Sequence, residues 1–186
     1  MDPIITIIVF MSILVALAIA VIGWTIAASN RFKVLLVKIG EADSGIGVAL
    51  IKRYDTLTKL MNVVKAYAGH ETEVLSKLVK LRSSMGVAEK VEASIQMDAM
   101  AKQLNVIAEG YPELRSSENY RQLQDAIVDA EDHLQAARRV YNMNVSAFNQ
   151  SIVRFPASII ANRAGHTLRE FFEVEEKKRA DVKIDL

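Results

Sequence analysis

His70 and Glu71 begin the pattern of a zinc-protease helix, in which two imidazoles four residues apart share a metal and a glutamate follows the first. The second imidazole would stand at position 74, where the chain has Val74. With Lys65 and Tyr67 close in sequence, His70 reads as a surface or interhelical hydrogen bonder. Asp125, Asp129, Glu131, Asp132 and His133 form a denser group. Asp129 and His133 are four apart, so one helix face could aim both at an ion. Di-iron bundles, however, place a Glu-x-x-His pair on each of two helices and add further glutamates. Only one imperfect half is present, and the group reads as a solvated acidic face. Gly45-Ile46-Gly47 has no preceding strand and no following Gly-Lys-Ser/Thr, so it does not make a nucleotide loop. Ser29, Ser44 and Ser151 sit in no elbow motif that would activate a nucleophile. No catalytic residue, metal site or cofactor is expected.

Composition narrows the classes further. The chain has 186 residues, a formal net charge of +1 and no cysteine. Disulfides, thiolate chemistry and Cys-ligated metals are excluded. The near-neutral balance argues against nucleic acid as a partner, since phosphate contacts need a basic surplus.

The elements that must position these residues begin with an apolar run. No charged residue occurs from Ile4 to Ala28. Twenty-five residues at about 1.5 Å rise span roughly 37 Å, enough to cross a hydrocarbon core of about 30 Å with some tilt. Trp24 suits the headgroup layer at the far end, and Arg31, Lys33 and Lys38 follow as interface anchors. The run is longer than the core of a cleaved signal peptide and lacks a basic leader, so an uncleaved anchor is expected. The basic flank places the leader outside and the remaining domain in the cytoplasm.

Beyond the anchor, Ile46, Leu50, Tyr54, Leu57, Met61, Val64, Ala68, Leu75 and Leu78 recur at helical spacing. Lys52, Arg53, Lys59 and Lys65 fall largely off that stripe. One long helix is expected from about Glu41 to Ser84, with a bend near Gly69, a loosened start at Gly40, Gly45 and Gly47, and a stop at Gly86. A second is expected from about Val87 to Glu109, broken by Gly110-Tyr111-Pro112. Ser116 or Ser117 caps a third, whose seam runs through Tyr120, Leu123, Ile127, Ala130, Leu134, Ala137, Tyr141, Val145, Phe148 and Ile152. Pro156 ends it and opens a short helix that Gly165 stops. The predicted fold is all-α: a single N-terminal transmembrane helix followed by an antiparallel bundle of long helices. It divides into an anchor (4–28), a juxtamembrane joint (29–45), the bundle (46–165) and an aromatic, charged tail (166–186). In the tail, Phe171-Phe172 beside Lys177, Lys178 and Arg179 favours packing on the bundle over a foot on lipid headgroups.

Lys52-Arg53-Tyr54-Asp55-Thr56-Leu57 and Val64-Lys65-Ala66-Tyr67-Ala68-Gly69-His70-Glu71 resemble the signature of the LemA family. Ala108-Glu109-Gly110-Tyr111-Pro112-Glu113-Leu114, Tyr120-Arg121-Gln122-Leu123-Gln124, Arg138-Arg139-Val140-Tyr141-Asn142, Phe155-Pro156 and Phe171-Phe172-Glu173 follow in the same order. The chain departs at Leu57-Thr58-Lys59, where the family usually has Ile-Pro-Asn, and at His166, which replaces a common aromatic. The resemblance implies a bacterial protein with one membrane helix, a bundle of long helices and no established catalytic activity. Magnetosome-building proteins of the MamQ type look like distant relatives, which implies membrane organisation.

The expected function is a non-enzymatic single-pass scaffold in the bacterial inner membrane, with the lipid bilayer and copies of itself as partners. Tyr120, Leu123, Ile127, Leu134, Tyr141 and Phe148 are its packing or self-association candidates. The alternative is an accessory subunit of another membrane complex, such as a membrane protease or transporter.

Overall fold

The computed structural model describes residues 3–68 and 85–173. Five helices occur in order: α1 (Pro3–Ala68), α2 (Val87–Glu109), α3 (Pro112–Ser116), α4 (Glu118–Val153) and α5 (Ala157–Arg163), and no strand occurs among the described residues. His70, Glu71, the bend near Gly69, the helix expected out to Ser84 and the charged run at Lys177, Lys178 and Arg179 lie outside the described residues.

The apolar stretch and the first bundle helix are one helix. Residues 29–45, read from sequence as a joint, are helical throughout, and Gly40, Gly45 and the following Gly47 do not interrupt α1. Each glycine weakens a helix interior by about 1 kcal/mol relative to alanine. The surrounding turns offset this by burying Phe32, Ile39, Ala42, Ile46, Ala49 and Leu50. The N-terminal part of α1 is long and apolar enough to cross a membrane, and none of that stretch is buried against protein.

The remaining helices begin and end for local reasons. Gly86 is the N-cap of α2, and its N–H donates to the Glu89 carboxylate at 2.9 Å. Pro112 occupies the first turn of α3, a short helix that periodicity alone does not reveal. Ser117 caps α4, its hydroxyl accepting from the Tyr120 N–H at 3.3 Å. Gly165 adopts φ +72°, the left-handed region that glycine enters freely. That turn lets the His166 N–H donate to the Ala161 carbonyl at 3.0 Å and the Gly165 N–H to the Asn162 carbonyl at 3.1 Å, closing α5 as a Schellman motif.

The chain forms two compact units. Of the described residues, the first comprises 3–39 and 144–169, the second 40–68, 85–143 and 170–173. In the first, Phe32, Val145, Phe148, Ile152 and Ala161 are buried. His166 meets Phe32 and Phe148 edge-on, with ring centroids 5.4 and 5.8 Å away, so the imidazole packs as an aromatic ring. Asn149 holds the backbone of Arg169 through paired bonds of 2.9 and 2.8 Å.

In the second unit, Leu57, Leu60, Val64, Met97, Leu104, Leu114, Ala130 and Leu134 form the core. Lys90 and Ser94 of α2 bond to Asp43 and Arg53 of α1 in the same sequence direction. Ser94 and Asn105 of α2 meet Arg138 and Tyr120 of α4 in the opposite one. Thus α2 runs with α1, and α4 runs antiparallel to α2. Asn142 pairs with the backbone of Phe172 through bonds of 3.2 and 2.8 Å, and the Tyr141 hydroxyl donates to the Glu170 carbonyl at 3.2 Å.

Candidate functional site

The most concentrated chemistry in the second unit is a buried charge network contributed by three helices. Arg53, read from sequence as largely off the apolar stripe, has a side chain only 5% exposed. Its position explains this: Ile46, Leu50, Arg53, Leu57, Leu60 and Val64 follow one another in steps of four and three along α1. The flanking apolar residues carry Arg53 into the core. On α2, Ser94 and Asp98 share a face, and on α4 Glu131 and Arg138 flank Leu134 on the seam.

Arg53 Nη2 donates to Asp98 Oδ1 at 2.5 Å and lies 3.0 Å from Glu131 Oε2. Its Nη1 reaches both the carbonyl and the hydroxyl of Ser94 at 3.4 Å. Arg138 Nη2 donates to the Ser94 hydroxyl, and its Nη1 lies 3.9 Å from Glu131 Oε1. The Arg138 guanidinium also stacks over the Phe172 ring at 5.2 Å. The contact between Arg53 and Glu131 is close but not aligned as a hydrogen bond. Glu131 Oε2 and the Nε atoms of Arg53 and Arg138 find no hydrogen-bond partner among the described residues. Burial, the largest influence, lowers the Arg138 pKa below the ordinary arginine value; Glu131 opposes it, Arg53 adds to it and Asp98 opposes it.

Two guanidiniums and two carboxylates balance in charge. Arginine does not deprotonate in the ordinary pH range, and carboxylates held against it act as acceptors. The arrangement therefore fastens helices together and holds no proton ready to transfer. A second strap joins α1 to α2, where Lys90 Nζ meets Asp43 Oδ1 at 2.5 Å and the Asp43 carbonyl at 3.1 Å.

The sequence candidates separate into different settings. Tyr120, Leu134, Tyr141 and Phe148 are buried within the chain's own core, while Leu123 and Ile127 are half-buried. Asp129 is 72% exposed and lies 3.7 Å from Lys52. Asp125, Asp132 and His133 are also exposed, and only Glu131 of that group turns inward. The Ser44 hydroxyl donates to the Gly40 carbonyl and that of Ser151 to the Phe148 carbonyl, both within their own helices. Phe172 is buried beneath Arg138, whereas Phe171 is exposed.

Trp24, Arg31, Lys33 and Lys38 are exposed in the first unit. Trp24 and Arg31 line a cavity of about 360 Å³ with Ala28 of α1, Gln150 and Ser151 of α4, and Arg154 just past the end of α4. Arg154 is a cavity residue that periodicity did not single out, because it lies at the end of α4 where the seam stops.

Comparison with known proteins is consistent with this architecture. The LemA family model matches residues 42–186. Protein LemA of Metamycoplasma hominis is 32% identical over 150 residues, covering 78% of this chain and 68% of that protein. Magnetosome protein MamQ of Magnetospirillum gryphiswaldense is 30% identical over 81 residues, covering 44% of this chain and 29% of that protein. Magnetosome protein MamQ 1 of Paramagnetospirillum magneticum matches to the same extent. Arg53 and Arg138, the two guanidiniums of the network, fall within stretches that carry the family resemblance. The chain belongs to the LemA family.

Proposed function

We propose that this chain is a non-enzymatic, single-pass membrane scaffold that assembles with copies of itself. Residues 4–28 cross the bacterial cell membrane, and the helical bundle lies on the cytoplasmic side. The observation that carries this reading is the closed charge network: Arg53, Asp98, Glu131 and Arg138 face one another across three helices instead of converging on a cleft. Such a network makes the bundle a specific shape, and the anchor concentrates that shape in two dimensions. Similarity to proteins named for the magnetosome favours a role in organising membrane.

Of the α4 seam, Leu123 and Ile127 stay half-buried and open to a partner, while Tyr120, Leu134, Tyr141 and Phe148 pack within the chain. Val106, Val128, Val140 and Met143 are exposed in the second unit and supply further apolar positions for docking. The same side chains favour a second reading, an accessory subunit of another membrane complex such as a membrane protease or transporter.

The test is co-purification of two differently tagged full-length copies expressed together and extracted in mild detergent. Recovery of one tag with the other, and not from separately extracted samples mixed afterwards, is expected. Absence of the second tag, with a different membrane protein recovered in stoichiometric amount, would replace the scaffold by the accessory subunit.

A further inference from the structure

The first unit has a one-sided charge. Its described residues include Arg31, Lys33, Lys38, Arg154, Arg163 and Arg169, and neither aspartate nor glutamate occurs in 3–39 or 144–169. The net charge of the whole chain conceals this, because the acids are concentrated in the second unit. Arg31 and Arg154 both line the cavity beside Trp24, and no carboxylate lines it. Neither guanidinium forms an ion pair among the described residues. The Ser151 hydroxyl is already donated to the Phe148 carbonyl, so the arginines are the charged donors available to an occupant.

The level of the cavity identifies that occupant. Trp24 stands near the end of the uncharged stretch 4–28, where an indole prefers the headgroup layer of a bilayer. The corner Arg154-Phe155-Pro156 joins α4 to α5, and Phe155 is 77% exposed there. An aromatic ring bare to solvent beside a guanidinium suits an interface that is apolar below and anionic above. A volume of about 360 Å³ lies within the range of small-ligand sites, about 300–1,000 Å³. Guanidinium forks match phosphate oxygens in geometry as well as charge.

We propose that this cavity holds the phosphate of an anionic phospholipid headgroup, taken from the leaflet at which Trp24 ends the apolar stretch. The inference rests on the reading of residues 4–28 as a bilayer-spanning segment. Arg31 and Arg154 clasp the phosphate, and Phe155 inserts beside them among the upper acyl carbons. The lipid seals α1 against the corner of α4 and α5 within this unit.

Trp24 is the sole tryptophan, so its fluorescence reads the site directly. The full-length chain is reconstituted in phosphatidylcholine vesicles containing roughly a fifth phosphatidylglycerol, a content that gives the surface an anionic potential. Acyl chains brominated near the headgroup are carried on phosphatidylglycerol in one set and on an equal amount of phosphatidylcholine in the other. Brominated phosphatidylglycerol is expected to quench Trp24 more strongly, through an enrichment of about fivefold per engaged arginine. The preference disappears in the Arg31→Gln/Arg154→Gln chain and persists in Arg163→Gln/Arg169→Gln. Inorganic phosphate, compared with chloride at equal ionic strength, leaves it intact.

Equal quenching by the two lipids would overturn the site while leaving the spanning segment in place, as would a preference that survives Arg31→Gln/Arg154→Gln. Loss of the preference on adding inorganic phosphate would make the free ion the occupant and overturn the lipid assignment. Quenching by neither lipid would remove the spanning segment, and the headgroup site with it.

Discussion

Arg53 is the residue on which the bundle's charge network turns, because its guanidinium meets carboxylates from two other helices. Removing one partner of a buried ion pair leaves the others uncompensated, a loss of about 3–5 kcal/mol. Asp98 and Glu131 retain 29% exposure each, which places Arg53→Met near the lower end, about 3 kcal/mol. Denaturant unfolding of the full-length chain in detergent is expected to show this as a lowered midpoint. Arg138→Met is expected to be milder, since its side chain is 17% exposed and its pKa is already lowered by burial. A lowered pKa means that folding disfavours the protonated form. That disadvantage lifts only as pH rises through the lowered value, on the alkaline side. Around neutrality, unfolding curves of Arg138→Met and the parent should therefore change in parallel with pH. The network was only partly legible in the sequence. The step from Leu50 to Arg53 to Leu57 fits a core seam, yet a charged side chain in such a pattern is ordinarily assigned to the surface. Glu131 was read with Asp129, Asp132 and His133 as one acidic face. Its inward turn depends on Arg53 and Arg138, which lie on another helix and two turns away.

Helix by helix, the stops were easier to read than the connections. The ends of α2, α4 and α5 follow from Gly110, Ser117, Pro156 and Gly165, whose effects are local. The five-residue α3 escaped because it is too short to show a period. The antiparallel arrangement expected of the bundle holds for α4 against α2, while α2 runs parallel to α1, a direction that the pattern of a helix does not encode. The glycines of α1 lie within a continuous helix: their weakness as helix formers is intrinsic, whereas the packing that offsets it is tertiary. Gly165 is the sharpest test at this scale. A side chain at φ +72° adds about 1–2 kcal/mol of strain, so Gly165→Ala is expected to lower the thermal midpoint. A neutral outcome in a thermal melt would show that the α5 turn adapts. Asn142 and Asn149 each use a side-chain amide to hold tail backbone from α4. Asn142→Ala removes two such bonds, about 1 kcal/mol each. Limited proteolysis should then cut near Phe172 sooner than in the parent, with the core of α2 and α4 unaffected.

For the molecule as a whole, the charge pattern bears on orientation. Arg31, Lys33 and Lys38, which follow closely on the apolar stretch, carry the expectation that this side of it is cytoplasmic. Because the chain lacks cysteine, Ser116→Cys introduces a single exposed thiol. An impermeant thiol reagent should leave it unlabelled on intact cells and label it after lysis. Labelling before lysis would put the bundle outside. The anchored scaffold also makes a claim about number. The measurement that tests it most directly is the mass of the gently solubilised full-length chain by light scattering, corrected for bound detergent. A discrete assembly of many copies is the predicted result, and a lone protomer at high concentration would contradict it.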